Sequence, residues 1–146
     1  DARQVGMAQS RQDGGLARGL ALVDMALHAH PDPAGLDLAA FEAAELARLG
    51  MPKEIVMRHR LPHFTHLFSG AYAAGYYVYM WAEVLDADAY TAFVEAGDPF
   101  DPATAGRLYR YVYSAGASLD PMEAFRAFRG REPRVEPMLA ERGLSA

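Results

Sequence analysis

The apolar residues of this chain recur mostly at intervals of three and four positions, which is the spacing of one face of an α-helix. The first helix is predicted to end near His28, and its apolar stripe consists of Leu16, Leu20, Val23 and Leu27. No run alternates apolar and polar residues for long enough to predict a strand. The chain is therefore predicted to be all-α, with about six or seven helices in a single domain over residues 1–146.

Aspartate and glycine mark the predicted helix boundaries. Asp37 and Asp120 are predicted N-caps, because an aspartate side chain accepts hydrogen bonds from the free N–H groups of a first helical turn. Gly50 and Gly130 are predicted to end the helices that follow, because glycine adopts the left-handed conformation common at helix ends.

The most apolar part of the chain runs from Tyr72 to Ala92 and is predicted to be helical, as one helix or as two that meet near Asp86. Tyr72, Tyr76 and Tyr79 are spaced four and three residues apart, so a helix would turn their side chains the same way. Phenol hydroxyls can donate hydrogen bonds to a carbonyl oxygen or an oxyanion. Aromatic stripes at this spacing are also typical of a buried core, and both interpretations stay open.

Small residues beside the tyrosines favour the interpretation as a ligand site. Gly70 and Ala71 directly precede Tyr72, and Gly75 lies inside the run. Glycine permits unusual backbone conformations and a close approach of the backbone to a ligand. A core helix would not need that freedom.

Three histidines, His59, His63 and His66, are spaced four and three residues apart, which on a helix would suit a metal. Pro62 lies inside this run and disfavours a helix there. The chain also lacks the HExxH motif of zinc peptidases. His59 and His63 are therefore interpreted as ordinary hydrogen-bonding residues, and no metal site is predicted within the chain.

Composition excludes several other classes of function. The net charge is -5 with the basic residues scattered, so nucleic acid is not expected as a partner. The longest apolar run, residues 71–82, is shorter than a membrane span, so no membrane is expected either. The absence of cysteine excludes disulfides, thiolate zinc sites and a cysteine nucleophile, and fits a cytoplasmic protein, with the periplasm left open.

Two further groups near the end of the chain carry no predicted chemistry. Ser118 has no histidine and acid near it in sequence that would activate a nucleophile. Arg126, Arg129 and Arg131 are predicted to form a solvated helix face.

Residues 63–84 read HFTHLFSGAYAAGYYVYMWAEV, and this segment resembles the C-terminal region of the thimet oligopeptidase and peptidyl-dipeptidase family of zinc metallopeptidases. The family pattern there is F-x-H-x-F, a glycine pair and then YxAGYYxYxW. The peptidyl-dipeptidase branch is the more similar. Other matching stretches are ALVDMALH at 21–28, GDPFDP at 97–102, DPME at 120–123, FRGREP at 128–133 and RGL at 142–144.

The resemblance implies that the chain is the C-terminal portion of a zincin-type oligopeptidase catalytic domain. The zinc ligands and the general-base glutamate of the family's HExxH helix are then expected before Asp1, in the missing part of the same enzyme. Zinc would belong to the full-length enzyme, and short peptides would be its substrates. The chain alone is expected to bind no catalytic zinc and to hydrolyse nothing.

The resemblance also implies roles for individual residues. Tyr79 would polarise the scissile carbonyl and stabilise its oxyanion, and His66 and Tyr72 would hydrogen-bond the substrate or the tetrahedral intermediate. Tyr76 would contact the substrate backbone. The mobile loop that brings these groups to the substrate would contain Gly70 and Ala71, where the family has two glycines.

Two alternatives belong to other classes of protein. One is a non-catalytic helical module that binds peptides or a partner helix in a tyrosine-rich groove. The other is a structural helical bundle in which the tyrosines form an aromatic core.

Overall fold

The computed structural model describes residues 18–54, 56–70 and 72–144. These residues are mostly helical and contain no β-strand, so the prediction of an all-α fold is confirmed. The chain divides into two compact units, Asp1–Met80 and Trp81–Ala146, and the single domain over 1–146 stays a prediction. In the described part of the chain, no helix has the length and apolar character that crossing a bilayer requires.

Within the described ranges the helical segments follow one another along the chain, joined by turns. The α-helices are α1 at residues 18–28, α2 at Leu38–Arg48, α3 at Val78–Ala96, α4 at Pro102–Leu108, α5 at Pro121–Arg129 and α6 at Glu136–Glu141. Single 3-10 turns lie at Leu61–His63, Thr65–Leu67 and Gly116–Ser118, and a π-helical turn at Tyr109–Tyr113 follows α4.

The predicted helix caps are confirmed. The Asp37 carboxylate accepts hydrogen bonds from two first-turn N–H groups of α2 at 2.9 and 3.1 Å. Asp120 accepts two equivalent bonds at 2.9 and 3.2 Å at the start of α5. Gly50 and Gly130, which follow the two helices, have φ angles of 67° and 73°, the left-handed region that glycine adopts at little cost.

The first unit has an apolar core formed by α1 and the two 3-10 turns. A buried charge fixes the first turn against α2, because Glu42 is 3% exposed and its Oε2 accepts the Leu61 N–H at 3.0 Å. The Glu42 Oε1 atom lies 2.5 Å from Nε of Arg60. These bonds hold the segment that leads into Phe64 and His66. The core residues are Leu20, Val23, Leu27, Met57, Leu61, Phe64 and Leu67.

The second unit contains a buried ion-pair network around Asp88 of α3, which is 0% exposed. Arg131 donates to both carboxylate oxygens at 2.6 Å, and the Arg134 N–H donates at 2.6 Å. The Arg129 side chain is 5% exposed and lies 3.3 Å from Asp88. The prediction of a solvated arginine face is therefore wrong for Arg129 and Arg131, which the buried carboxylate draws inward, while Arg126 stays half-exposed beside Glu132.

The charge on Asp88 makes the free energy of unfolding depend on pH in acidic solution. Burial alone would raise the pKa of Asp88, but hydrogen bonds from Arg131 and the Arg134 backbone lower it from 3.8 to about 2. Because the folded-state pKa lies below the unfolded value, the carboxylate stabilises the fold above about pH 4, and this is lost as the pH falls toward 2. We expect a loss of roughly 2 kcal/mol in the free energy of unfolding across that interval.

Denaturant unfolding at a series of pH values measures this dependence. Asp88→Asn should remove most of the acid dependence in that interval, whereas Asp86→Asn, an exposed neighbour on the same helix, should keep it. An acid slope that is the same in the Asp88→Asn variant and the wild type would contradict the assignment.

Candidate functional site

The tyrosine-rich segment is not helical where the sequence predicts it. Residues 72–77 form consecutive turns, and α3 begins only at Val78. The prediction of a helix from Tyr72 is therefore wrong for these turns. The helix α3 then runs without a break past Asp86 to Ala96, so of the two open arrangements the single helix is the observed one.

A distant carboxylate explains why these residues are not helical. Asp24 of α1 is 0% exposed, and its two oxygens accept the N–H groups of Ala74 at 3.1 Å and Tyr76 at 2.9 Å. In a continuing helix these N–H groups would instead bond to carbonyls four residues earlier. Hydrogen bonds to a buried carboxylate are stronger than those to a neutral carbonyl, so the turn conformation is favoured.

Folding nevertheless brings together the four side chains to which the family resemblance gives chemistry. The centroids of the His66 and Tyr72 rings are 5.8 Å apart. Tyr72 also stacks on Tyr79, with a centroid distance of 5.5 Å and an interplanar angle of 19°. The centroid of the Tyr76 ring is 4.9 Å from that of Tyr79. The Tyr76 ring also packs edge-on against Phe64, with a centroid distance of 4.9 Å. We call His66, Tyr72, Tyr76 and Tyr79 the phenol cluster.

The phenol cluster rests on the core and is open to solvent. Phe64 beneath it is 1% exposed, whereas Tyr79 is 45% exposed and His66 is exposed. Tyr72 and Tyr76 are partly buried. A ligand can therefore reach these side chains, and the contact of Tyr76 with Phe64 joins the cluster to the core.

Two phenols of the cluster, Tyr76 and Tyr79, have a raised pKa. Hydrogen bonding to the Tyr72 side chain raises the pKa of Tyr79, and partial burial adds to the effect. Partial burial also raises the pKa of Tyr76, against a smaller opposing effect of Arg58. Both shifts favour the protonated phenol, which is the form that can donate a hydrogen bond to a developing oxyanion.

The predicted loop before the cluster is described only in part. Gly70 has a φ angle of 89°, which disfavours any residue with a side chain at this position. Ser69, which precedes it, donates two hydrogen bonds to the Thr65 carbonyl, from its N–H at 2.9 Å and from its hydroxyl at 2.8 Å. Ala71 lies outside the described residues. The substrate-binding roles of Gly70 and Ala71 stay predictions.

The histidines do not form a metal site in the described part of the chain. His59, His63 and His66 are exposed, and the rings of His59 and His66 pack on Phe64 at 5.3 and 5.8 Å. Among the residues that the structure describes, no three histidine, aspartate or glutamate side chains are grouped to hold a metal. The donor set here therefore does not fit the zinc that the family resemblance implies.

Sequence reasoning assigned no role to Asp24 and His28, although both lie in the matching stretch 21–28. The His28 Nδ1 atom is 2.9 Å from Oδ1 of Asp24 and 3.0 Å from its main-chain oxygen. A signal was present, because Asp24 interrupts the apolar face of α1, where a charge is expected only if it is paired.

Comparison with known proteins identifies the family. The sequence model of "Peptidase family M3" matches residues 17–144. The chain therefore belongs to peptidase family M3, and the resemblance to the thimet oligopeptidase and peptidyl-dipeptidase family is confirmed.

Several curated relatives match with substantial identity. Oligopeptidase A of Haemophilus influenzae is 50% identical over 86 residues, which are 58% of this chain and 12% of that protein. Oligopeptidase A of Escherichia coli is 41% identical over 126 residues, 84% of this chain and 18% of that protein. Dipeptidyl carboxypeptidase of Salmonella typhimurium is 39% identical over 129 residues, which are 86% of this chain and 19% of that protein. The chain thus spans less than a fifth of the length of these relatives.

Proposed function

We propose that this chain is the substrate-binding part of a zinc-dependent oligopeptidase or peptidyl-dipeptidase that hydrolyses short peptides. Membership of family M3 and the similarity to oligopeptidase A and dipeptidyl carboxypeptidase support the reaction class. The phenol cluster is the observation that carries the proposal, because it groups three phenols and an imidazole on one accessible surface. A cytoplasmic location is part of the proposal and fits the absence of cysteine.

Each member of the cluster has a proposed role. Tyr79 is the proposed oxyanion donor, because it is exposed and its ring contacts both Tyr72 and Tyr76. Tyr72 and His66, which lie beside it, would hydrogen-bond the substrate or the tetrahedral intermediate. Tyr76 would contact the substrate backbone, together with the loop at Gly70 and Ala71.

The metal belongs to a different part of the enzyme in this proposal. Zinc bound at an HExxH site supplies Lewis-acid chemistry and activates water in peptidases of this type. The described residues hold no group of zinc ligands, and the sequence contains no HExxH motif. In this proposal the zinc ligands belong to a part of the enzyme outside this chain. This chain would bind and orient the peptide and donate hydrogen bonds to the oxygen on which negative charge develops.

If zinc is bound by another part of the enzyme, this chain alone is predicted to be inactive. Purified on its own, with its helical content checked by circular dichroism, it should contain no stoichiometric zinc and should not cleave quenched fluorescent peptides. The full-length enzyme, assayed beside it as the control, should do both. Stoichiometric zinc with turnover in the isolated chain would overturn the proposal. A native protein without an HExxH segment would instead favour a non-catalytic peptide-binding module.

A further inference from the structure

Asp24 is a buried charge to which the proposed function gives no role. Its carboxylate is 0% exposed and lies on α1, some fifty residues before the phenol cluster in sequence. Burying a carboxylate without partners is costly, so the donors that face it define what the residue does. Those donors are the N–H groups of Ala74 and Tyr76, at 3.1 and 2.9 Å, and Nδ1 of His28, at 2.9 Å.

The bonds to Asp24 support a backbone conformation that is otherwise unfavourable. Ala74 has a φ angle of 53°, in the left-handed region, which costs a non-glycine residue on the order of 1–2 kcal/mol. The two bonds that Asp24 accepts, from the N–H groups on either side of Gly75, offset that cost, because each is charge-assisted and ends on a buried carboxylate. The turn therefore depends on Asp24 rather than on its own local preferences.

A second contact links α1 to the chain on the other side of Gly70. The His28 ring lies 6.3 Å from the ring of Phe68, which precedes Gly70, while Ala74 follows it. The Asp24 and His28 pair thus contacts the chain both before and after the predicted mobile loop.

We propose that Asp24 is a positioning residue for the phenol cluster. By holding the amides of Ala74 and Tyr76, it sets where the Tyr72 and Tyr76 rings lie against Tyr79, and His28 orients its carboxylate. Asp24 itself touches no substrate in this proposal. The inference rests on the proposed function, because the positions of these rings matter for turnover only if the phenols act on the peptide.

Asp24→Asn in the full-length enzyme tests the proposal with little change in volume. Asparagine keeps one acceptor but replaces the other oxygen with an NH₂ group, which cannot accept the N–H that faces it. We expect kcat to fall by about tenfold, because displacement of reacting groups by a fraction of an ångström is costly. Amide hydrogen exchange over residues 72–77 should become at least about tenfold faster.

Asp37→Asn is the matched control. Asp37 also accepts two backbone N–H groups through its carboxylate, but at the start of α2 and at an exposed position. Asparagine caps helices as well as aspartate does, so this variant should keep both kcat and the exchange rates of residues 72–77. A tenfold loss of kcat in this variant as well would mean that the Asp24 effect is not specific, and would overturn the proposal.

A double-mutant cycle separates positioning from a general structural role. Asp24→Asn should cost little further turnover once Tyr79→Phe is present, since its effect passes through the phenol cluster. Additive losses would overturn the proposal, as would exchange over residues 72–77 that stays slow in Asp24→Asn. If exchange accelerates but Tyr79→Phe leaves turnover unchanged, the proposed function fails instead.

The wild-type enzyme gives a measurement that does not depend on a folded variant. If Asp24→Asn does not accumulate as folded protein, exchange at single amides in the wild type still tests the contact. The Ala74 and Tyr76 amides should exchange at least about tenfold more slowly than in an unstructured peptide, although their residues are only partly buried. Exchange at the unstructured rate would overturn the proposal.

Discussion

Tyr79→Phe in the full-length enzyme is expected to lower kcat by about a hundredfold or more, with a much smaller change in KM. The substitution removes one hydroxyl and keeps the ring that stacks on Tyr72 and contacts Tyr76. The loss should therefore report the donated hydrogen bond rather than a change in packing. Because the bond strengthens as negative charge develops on the carbonyl oxygen, its removal affects the transition state more than the bound substrate.

Tyr77→Phe provides the matched control for Tyr79→Phe. Tyr77 is 54% exposed, compared with 45% for Tyr79, and lies two residues away but outside the phenol cluster. Loss of its hydroxyl should leave kcat within about twofold of the wild type. Steady-state kinetics with a quenched peptide measure both variants. Unchanged turnover in Tyr79→Phe would remove Tyr79 from its proposed role, and equal losses in both variants would show that the effect is not specific.

Much of the fold could be predicted from local sequence signals. Asp37 and Asp120 cap α2 and α5 as predicted, and Gly50 and Gly130 follow those helices in the left-handed conformation. These signals are reliable because a cap depends on bonds between residues two or three positions apart. Where local chemistry decides the conformation, the sequence is sufficient.

The errors arise where a distant carboxylate decides the structure. Residues 72–77 have helical periodicity. However, the Asp24 carboxylate, about fifty residues away in sequence, accepts hydrogen bonds from two of their N–H groups. Arg129 and Arg131 look like surface residues until Asp88 of α3 is placed beside them. In both cases the deciding bond joins residues far apart in the chain, and periodicity carries no information about such a partner.

The sequence led to the candidate site partly through a wrong expectation about its secondary structure. A helix was expected to align Tyr72, Tyr76 and Tyr79, whereas a bent turn and the first turn of α3 bring their rings into contact. The family resemblance identified the residues without depending on that geometry. Their placement in one accessible cluster is what the structure adds, and their catalytic roles stay predictions.

Asp88→Ala is expected to destabilise the second unit by about 3–5 kcal/mol, the usual cost of removing one partner from a buried ion pair. The substitution leaves the buried Arg129 guanidinium, the Arg131 side chain and the Arg134 N–H without their shared acceptor. Arg131 and the Arg134 N–H lose the most, because their three bonds to Asp88 are each 2.6 Å long, whereas Arg129 keeps its bonds to Glu95. Water cannot easily replace the carboxylate at such a position.

Glu95→Ala is the matched control, because Glu95 also accepts bonds from Arg129, at 2.8 and 2.9 Å, but its side chain is 62% exposed. Solvent screens an exposed pair, so its loss should cost no more than about 1 kcal/mol. Urea unfolding followed by circular dichroism measures both variants at neutral pH. A loss below 1 kcal/mol for Asp88→Ala, similar to that of Glu95→Ala, would show that the network contributes little, since burial is the physical difference between the two carboxylates.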